Sequence, residues 1–470
     1  MAISARKYRN KIVEGPIIKT LIWLSLPLIA VQLIQVSYNI VDAFWLSMYS
    51  DIALAIPREV WPLFLFFSAF STALSSSNIA LISQYVGAKS LNRASEAASK
   101  FFTASLAIGI FFGAIFFALR PLIFTYVIKV PAEIYDQVLI YAGIIALTIP
   151  FSYMVTAYST ILQSIGDTKR PALVTAFYLI VNSILDPLCI FGIGPFPRLG
   201  VIGAAVTDLI GNALSTATLA LIVKKMLSDL RVTLTKNIDL EWIILNLKVG
   251  LPILVLVLSN SIAKMLQLRL VNTFGIITAT VYSLGFVAID LSNAALRGFS
   301  RAAAIMVDQN LGAKLRQRAR KIALNAAMLV FIVTLAGAFI LYILRDTFIH
   351  IFIQNPMIYF EAKRFLEIFL WSLPFLGILL TAISIGKGSG HALPPTLIGI
   401  ARLWGFWVGL GYLLALLAGY GSMGIWIAMT VGNIASGLIA LVWLKYGKWT
   451  YAIVHGRKAY VNSSKKKKNS

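Results

Sequence analysis

Apolar runs of about 20 residues, each long enough to cross a bilayer as a helix, recur twelve times along the chain. They lie at 18–44, 60–84, 100–126, 138–161, 171–193 and 201–223, then at 243–271, 280–306, 322–344, 360–385, 395–418 and 423–444. In lipid a backbone must satisfy its own polar groups, so each run must be a helix and the class is all-α membrane protein. Composition agrees: 59% of residues are hydrophobic and only 13% charged, more apolar surface than a water-soluble fold could bury.

The charges sort by side. With the N-terminus in the cytoplasm, the inside segments hold 29 Lys and Arg and the outside segments 7. The other five, Lys264, Arg269, Arg297, Arg301 and Arg402, lie in or at the ends of spans. This bias places both termini inside, in a multi-pass protein of the plasma membrane. The net charge of +23 gathers around apolar runs and forms no soluble basic stripe, so nucleic acid is not an expected partner. The Lys465–Lys468 tail reads as a solvated end near anionic lipid headgroups.

Several chemistries lack their residues. Lone Cys189 reads as a small packed hydrophobe, and no Cys/His spacing resembles a zinc site. The first run is a full span without a cleavage pattern, so no cleavable signal peptide is read. Gly386-Lys387 has Thr381 where a phosphate loop needs glycine, and Gly388 follows it. His350, His391 and His455 are mutually isolated, and no loop could form a catalytic domain. A secondary transporter, not an enzyme, is expected, with no cofactor beyond a transported cation.

The chain also repeats itself at an offset of about 225 residues. Ser-Leu-Pro at 25–27 returns as Gly-Leu-Pro at 250–252, and Gln84-x-x-Gly87-Ala88-Lys89 as Gln309-x-x-Gly312-Ala313-Lys314. Ile-Pro-Phe at 149–151 returns as Leu-Pro-Phe at 373–375. Gly166 and Pro171 match Gly390 and Pro395. Gly200, Gly203, Gly211 and Asn212 match Gly421, Gly424, Gly432 and Asn433. Two six-helix bundles follow: an N-lobe over 1–223, a cytoplasmic linker over 224–242, a C-lobe over 243–446 and a basic tail over 447–470. An even number of helices makes the repeats parallel, related by a pseudo-two-fold axis along the membrane normal. Rocking of two such bundles gives alternating access.

Of 18 acidic residues, fourteen sort to loops, span ends or tails, Asp308 among them. Asp42, Asp186, Asp208 and Asp290 lie well within spans, where a carboxylate is costly and needs a polar cavity or a partner. Tyr38 and Asn182 stand four residues before Asp42 and Asp186, on the same helix faces. By helical rise, Asp42, Asp186 and Thr207 reach the outer half of the first bundle. Two carboxylates sharing a cluster titrate as a pair, which suits a site that takes up a cation on one side and releases it on the other. Asp208 points about 100° from Thr207 and, like Gln35, is a secondary candidate. Asp290 reads as an ion pair with Arg297 or Arg301. Pro27 removes a backbone bond and should kink the first helix, as packing or as a gate.

Together the twelve spans, the duplication, the Pro27/Pro252 pair, the two Gln-x-x-Gly-Ala motifs and Gln163-x-x-Gly166-Asp167 resemble the multidrug and toxic compound extrusion (MATE) transporters. Asp42 and Asn182-x-x-x-Asp186 look most like the archaeal and DNA-damage-inducible-like branch. The resemblance implies an antiporter that expels organic, often cationic or amphipathic compounds against inward H+ or Na+, acting as a monomer. It implies a polar cluster of Tyr38, Asp42, Tyr141, Asn182, Asp186 and Thr207, with Asp42 and Asp186 as metal ligands only if sodium couples, and a gating bend at Pro27. Another branch carries acids in helices 7 and 10. Here helix 7 has none, and helix 10 has only Glu361 and Glu367 near its outer end. A flippase for lipid-linked saccharides is the alternative, kept open by Lys264, Arg269, Arg297 and Arg301. A channel or receptor is the weakest reading.

Overall fold

The structure, a computed structural model, describes residues 5–50, 53, 55–128, 130–226, 230–352 and 356–451. The Lys465–Lys468 tail lies outside them, as does the side chain of Asp290 with its expected ion pair. Among the described residues there is helix and no strand. A short α1 (Ala5–Glu14) precedes α2 (Ile17–Tyr49), α3 (Ala55–Gly87), α4 (Leu91–Leu122), α5 (Tyr135–Ile165), α6 (Lys169–Phe191) and α7 (Val201–Met226). The second series is α8 (Leu240–Asn272), α9 (Ile276–Gly312), α10 (Arg316–Ile343), α11 (Arg345–Phe352), α12 (Pro356–Phe369), α13 (Leu373–Ser389), α14 (Leu393–Ala401) and α15 (Gly421–Tyr446).

Eleven helical stretches among the described residues are long and apolar enough to cross a membrane. The predicted eighth span is covered by α9, whose 37 residues include Asp290, Arg297, Arg301 and Asp308. The predicted tenth is interrupted: α12 passes through a 3-10 turn at Leu370–Ser372 into α13, with Pro374 in its first turn. The eleventh begins as α14 and widens into π-helical segments at Arg402–Leu410 and Leu413–Leu417. Large apolar side chains such as Phe111, Phe117, Met328, Phe339 and Val442 lie on the outside, the reverse of a water-soluble protein. That surface suits lipid.

The chain divides into two compact units, one of Met1–Asn10 and Ala30–Asn246, the other of Lys11–Ile29 and Leu247–Ser470. The division runs through α2 and α8. Within the first unit α5 is central, packed by α3, α4 and α7. Phe67, Phe116, Phe124, Ile149 and Tyr153 fill the space between them. Close approach of α6 and α7 needs Gly203, where a Cβ would fall 2.9 Å from the Cys189 carbonyl. Cys189 is buried, as a packed hydrophobe should be. In the second unit α13 is central, packed by α9, α10 and α15.

The repeat extends to backbone dihedrals. Lys89 and Lys314, the matched ends of the two Gln-x-x-Gly-Ala-Lys motifs, are the only non-glycine residues with positive φ among those described, at 59° and 64°. Left-handed lysine is uncommon, and its occurrence at both copies marks one inherited turn. The same bonds close it: Ala88 N–H to the Gln84 carbonyl and Ala313 N–H to the Gln309 carbonyl, both 2.9 Å. Gly166 and Gly390 likewise cap α5 and α13 at φ 103° and 82°.

Candidate cation-coupling site

Four helices of the first unit bring their polar residues to one place. α2 supplies Tyr38 and Asp42, α5 Tyr141, α6 Asn182 and Asp186, and α7 Thr207 and Asp208. Spacing of four makes each pair on α2 and α6 share a face. Tyr38, Tyr141, Asn182, Asp186 and Thr207 are buried, Asp186 and Thr207 completely. The Thr207 hydroxyl donates to Asp186 Oδ1. The Tyr38 hydroxyl donates to Asp208 Oδ1 at 3.0 Å, and Asn182 Nδ2 reaches the same oxygen at 3.4 Å.

So the cluster holds three carboxylates. Asp208 joins it even though it points away from Thr207 on the helix wheel. Adjacent positions on α7 meet different neighbours: Thr207 meets Asp186, while Asp208 meets Tyr38 and Asn182. No single helix face could reveal this, because α2 and α6 both approach α7. Each carboxylate is near enough to feel another's charge, and Tyr141 is within range of all three. Gln35 lies apart, donating along α2 to Asn39 at 3.2 Å.

Polar capacity remains open. Asp42 Oδ1, Asp186 Oδ2 and Asn182 Oδ1 are buried and have no hydrogen-bond partner among the described residues. Buried acceptors left bare are costly, and a cation offered to them recovers that cost. Space for the amide comes from Gly211 on α7, where a Cβ would fall 2.5 Å from Asn182 Oδ1. No three His, Cys, Asp or Glu side chains among the described residues are grouped as a metal site.

The second unit does not reproduce the cluster. By the repeat register, Asp42 corresponds to Gln267, Tyr141 to Phe365, Asp186 to Leu410, Thr207 to Ala428 and Asp208 to Met429. Gln267 accepts from the Tyr282 hydroxyl at 3.0 Å and is fully buried. Glu361 accepts from Ser422 and Trp426, and Glu367 pairs with Arg345 at 3.3 Å.

α9 continues to Gly312, so Asp308 is inside the helix, with no exposed surface and no partner for either oxygen among the described residues. Its register partner is Ser83, whose hydroxyl donates to the Ser164 carbonyl at 3.1 Å. That equivalence was the available signal.

One family model, MatE, matches the chain twice, over residues 27–188 and 252–413, the same offset that the internal repeat shows. The chain belongs to the MatE family. MatE proteins are secondary transporters, so this chain is a multi-pass membrane transporter and not an enzyme. YoeA of Bacillus subtilis, a probable multidrug resistance protein, is 24% identical over 84% of this chain and 87% of its own. A FAD transporter of Shewanella oneidensis is 24% identical over 92% of this chain and 95% of its own. A crystal structure of a MATE protein in the bent conformation matches with a TM-score of 0.86 at 21% identity. It covers 95% of this chain and 97% of that one, a likeness of fold.

Proposed function

We propose that this chain is an antiporter that exports organic, often cationic or amphipathic compounds by alternating access, coupled to inward H+ or Na+ through the acids of its first unit. The convergence of Asp42, Asp186 and Asp208 from three helices, with buried oxygens left unbonded, carries the reading. Three carboxylates this close in a low-dielectric setting need a cation to neutralise them. Binding it in one orientation and releasing it in the other is coupling. In this reading 1–223 and 243–446 are the rocking lobes, 224–242 is their cytoplasmic link and Pro27 is a gating bend. Both termini are cytoplasmic, the plasma membrane is the site of action, and one chain works alone with no cofactor.

Multidrug resistance proteins among the relatives support an export role. They do not favour the lipid-linked saccharide flippase. Proteoliposomes carrying a pH gradient or a sodium gradient, imposed separately, test the proposal. Wild type should expel ethidium under one of them, and D42N, folded to the same Tm, should not. Gradient-driven efflux by D42N at the wild-type rate would overturn it.

A further inference from the structure

The stretch between α7 and α8 is fastened to the first unit by a regular ladder. Over 231–235 the chain runs beside α4 and gives alternate backbone N–H groups to hydroxyls on it. Arg231 donates to Ser95 at 3.1 Å, Thr233 to Ser99 at 3.1 Å and Thr235 to Thr103 at 3.0 Å. The two periods match, since four residues of helix rise about 6 Å and two residues of extended chain about 6.6 Å. A turn follows: Asn237 N–H donates to Thr235 Oγ1 at 3.1 Å, and Ile238 N–H to the Lys236 carbonyl at 3.0 Å. Asp239 then brings the chain back along α4, pairing with Lys100 at 2.8 Å and capping α8 by accepting the Trp242 N–H at 2.8 Å. The result is a hook whose tip lies level with Thr103.

Its depth follows from α4. With the π-helical turn that extends it to Ile128, this helix spans 38 residues, about 57 Å, against about 40–45 Å for a bilayer with its headgroups. Its apolar run starts near residue 100, so 95–103 straddles the border between headgroups and hydrocarbon. Irregular backbone can lie there only if its polar groups are satisfied, and the three hydroxyls do this for the N–H groups that face α4. The side chains of the hook suit the same setting. Leu234 is 64% exposed and Ile238 36%, and they lead into Leu240, Ile244, Leu247 and Leu251, an exposed apolar row along one face of α8. Arg231 and Lys236 are exposed beside them, while the acid within 230–239, Asp239, is paired with Lys100.

We propose that the hook is a membrane-surface anchor: Leu234 and Ile238 enter the leaflet beside α4, and Arg231 and Lys236 hold the phosphates of anionic phospholipids there. Long basic side chains reach headgroups while their stems stay in apolar surroundings, and each adds to the pull of an anionic surface. This goes beyond the exporter reading and does not depend on it.

The fluorophore NBD on single cysteines tests the anchor, with L234C, I238C and R93C each made in a C189A background of the full chain and held in nanodiscs. All three labelled positions are exposed, and an unchanged Tm checks each variant. A phospholipid bearing a nitroxide near the top of its acyl chain quenches a probe that enters the leaflet. The labels at L234C and I238C should be quenched at least about twofold more than the label at R93C, in the first turn of α4. At equal mole fraction, nitroxide on phosphatidylglycerol should quench L234C more than nitroxide on phosphatidylcholine, each cation adding about fivefold to local enrichment. R231Q with K236Q should abolish that excess. Labels at L234C and I238C that ignore the nitroxide but are quenched by aqueous iodide would place the hook in water, open to a soluble partner, and overturn the proposal. Equal quenching by the two lipids, or an excess that survives loss of both cations, overturns it as well. No substrate or gradient is present, so anchoring and efflux are decided separately.

Discussion

At the scale of single residues, burial separates the acids more sharply than sequence position does. Asp186 accepts from Thr207, and Asp208 from Tyr38 and Asn182, so the desolvation of these two is partly offset. Asp308 has no such donors among the described residues, and its carboxyl presses against Gly388, where a Cβ would fall 2.2 Å from Oδ1. D308S restores the residue of the other half, a hydroxyl that in its own copy reaches a carbonyl on the facing helix. We expect D308S to stabilise the protein by roughly 1–3 kcal/mol, the usual cost of a buried unsatisfied polar group. Thermal unfolding in detergent measures it, and a lower Tm would show that Asp308 has a partner outside the described residues.

Among elements, the irregular ones sit where long spans were expected. Pro27 denies α2 a bond to the Trp23 carbonyl, and Ser25 Oγ donates to the Ile22 carbonyl at 3.1 Å one residue earlier. Such a weakened turn lets a helix bend at low cost. Short α11 is pinned outside the membrane spans by Asp346, which accepts from Tyr359 at 2.7 Å and pairs with Lys363 at 3.0 Å. Hydrogen bonds from Tyr359 and then Lys363 hold the Asp346 carboxyl below its ordinary range. A depressed pKa stabilises the folded state above the ordinary aspartate range, and the gain is lost as pH falls through the folded value. D346N should therefore lower Tm at neutral pH, and by progressively less in acid until the two proteins coincide. A difference in Tm that does not vary with pH would point to packing instead.

Across the whole molecule, duplication preserved the scaffold while the polar content of the halves diverged. Matched left-handed turns at Lys89 and Lys314 show how closely the backbone was kept. At the coupling cluster the second copy has Gln267, Phe365, Leu410, Ala428 and Met429, none of which can bear charge. Q267L should leave the gradient dependence of ethidium efflux as in wild type even where protein yield falls, because the proposed exchange site lies in the first unit. Loss of that dependence in proteoliposomes would make the second unit a partner in coupling. Span number, fold class and tandem repeat were legible in the chain because lipid forces helices and because periodicity and offset are linear properties. The four-residue pairs Tyr38/Asp42 and Asn182/Asp186 were legible for the same reason. The place of Asp208 in the cluster and the burial of Asp308 depend on which helices pack together. That is a matter of contacts between segments far apart in sequence, and only the tertiary structure decides it.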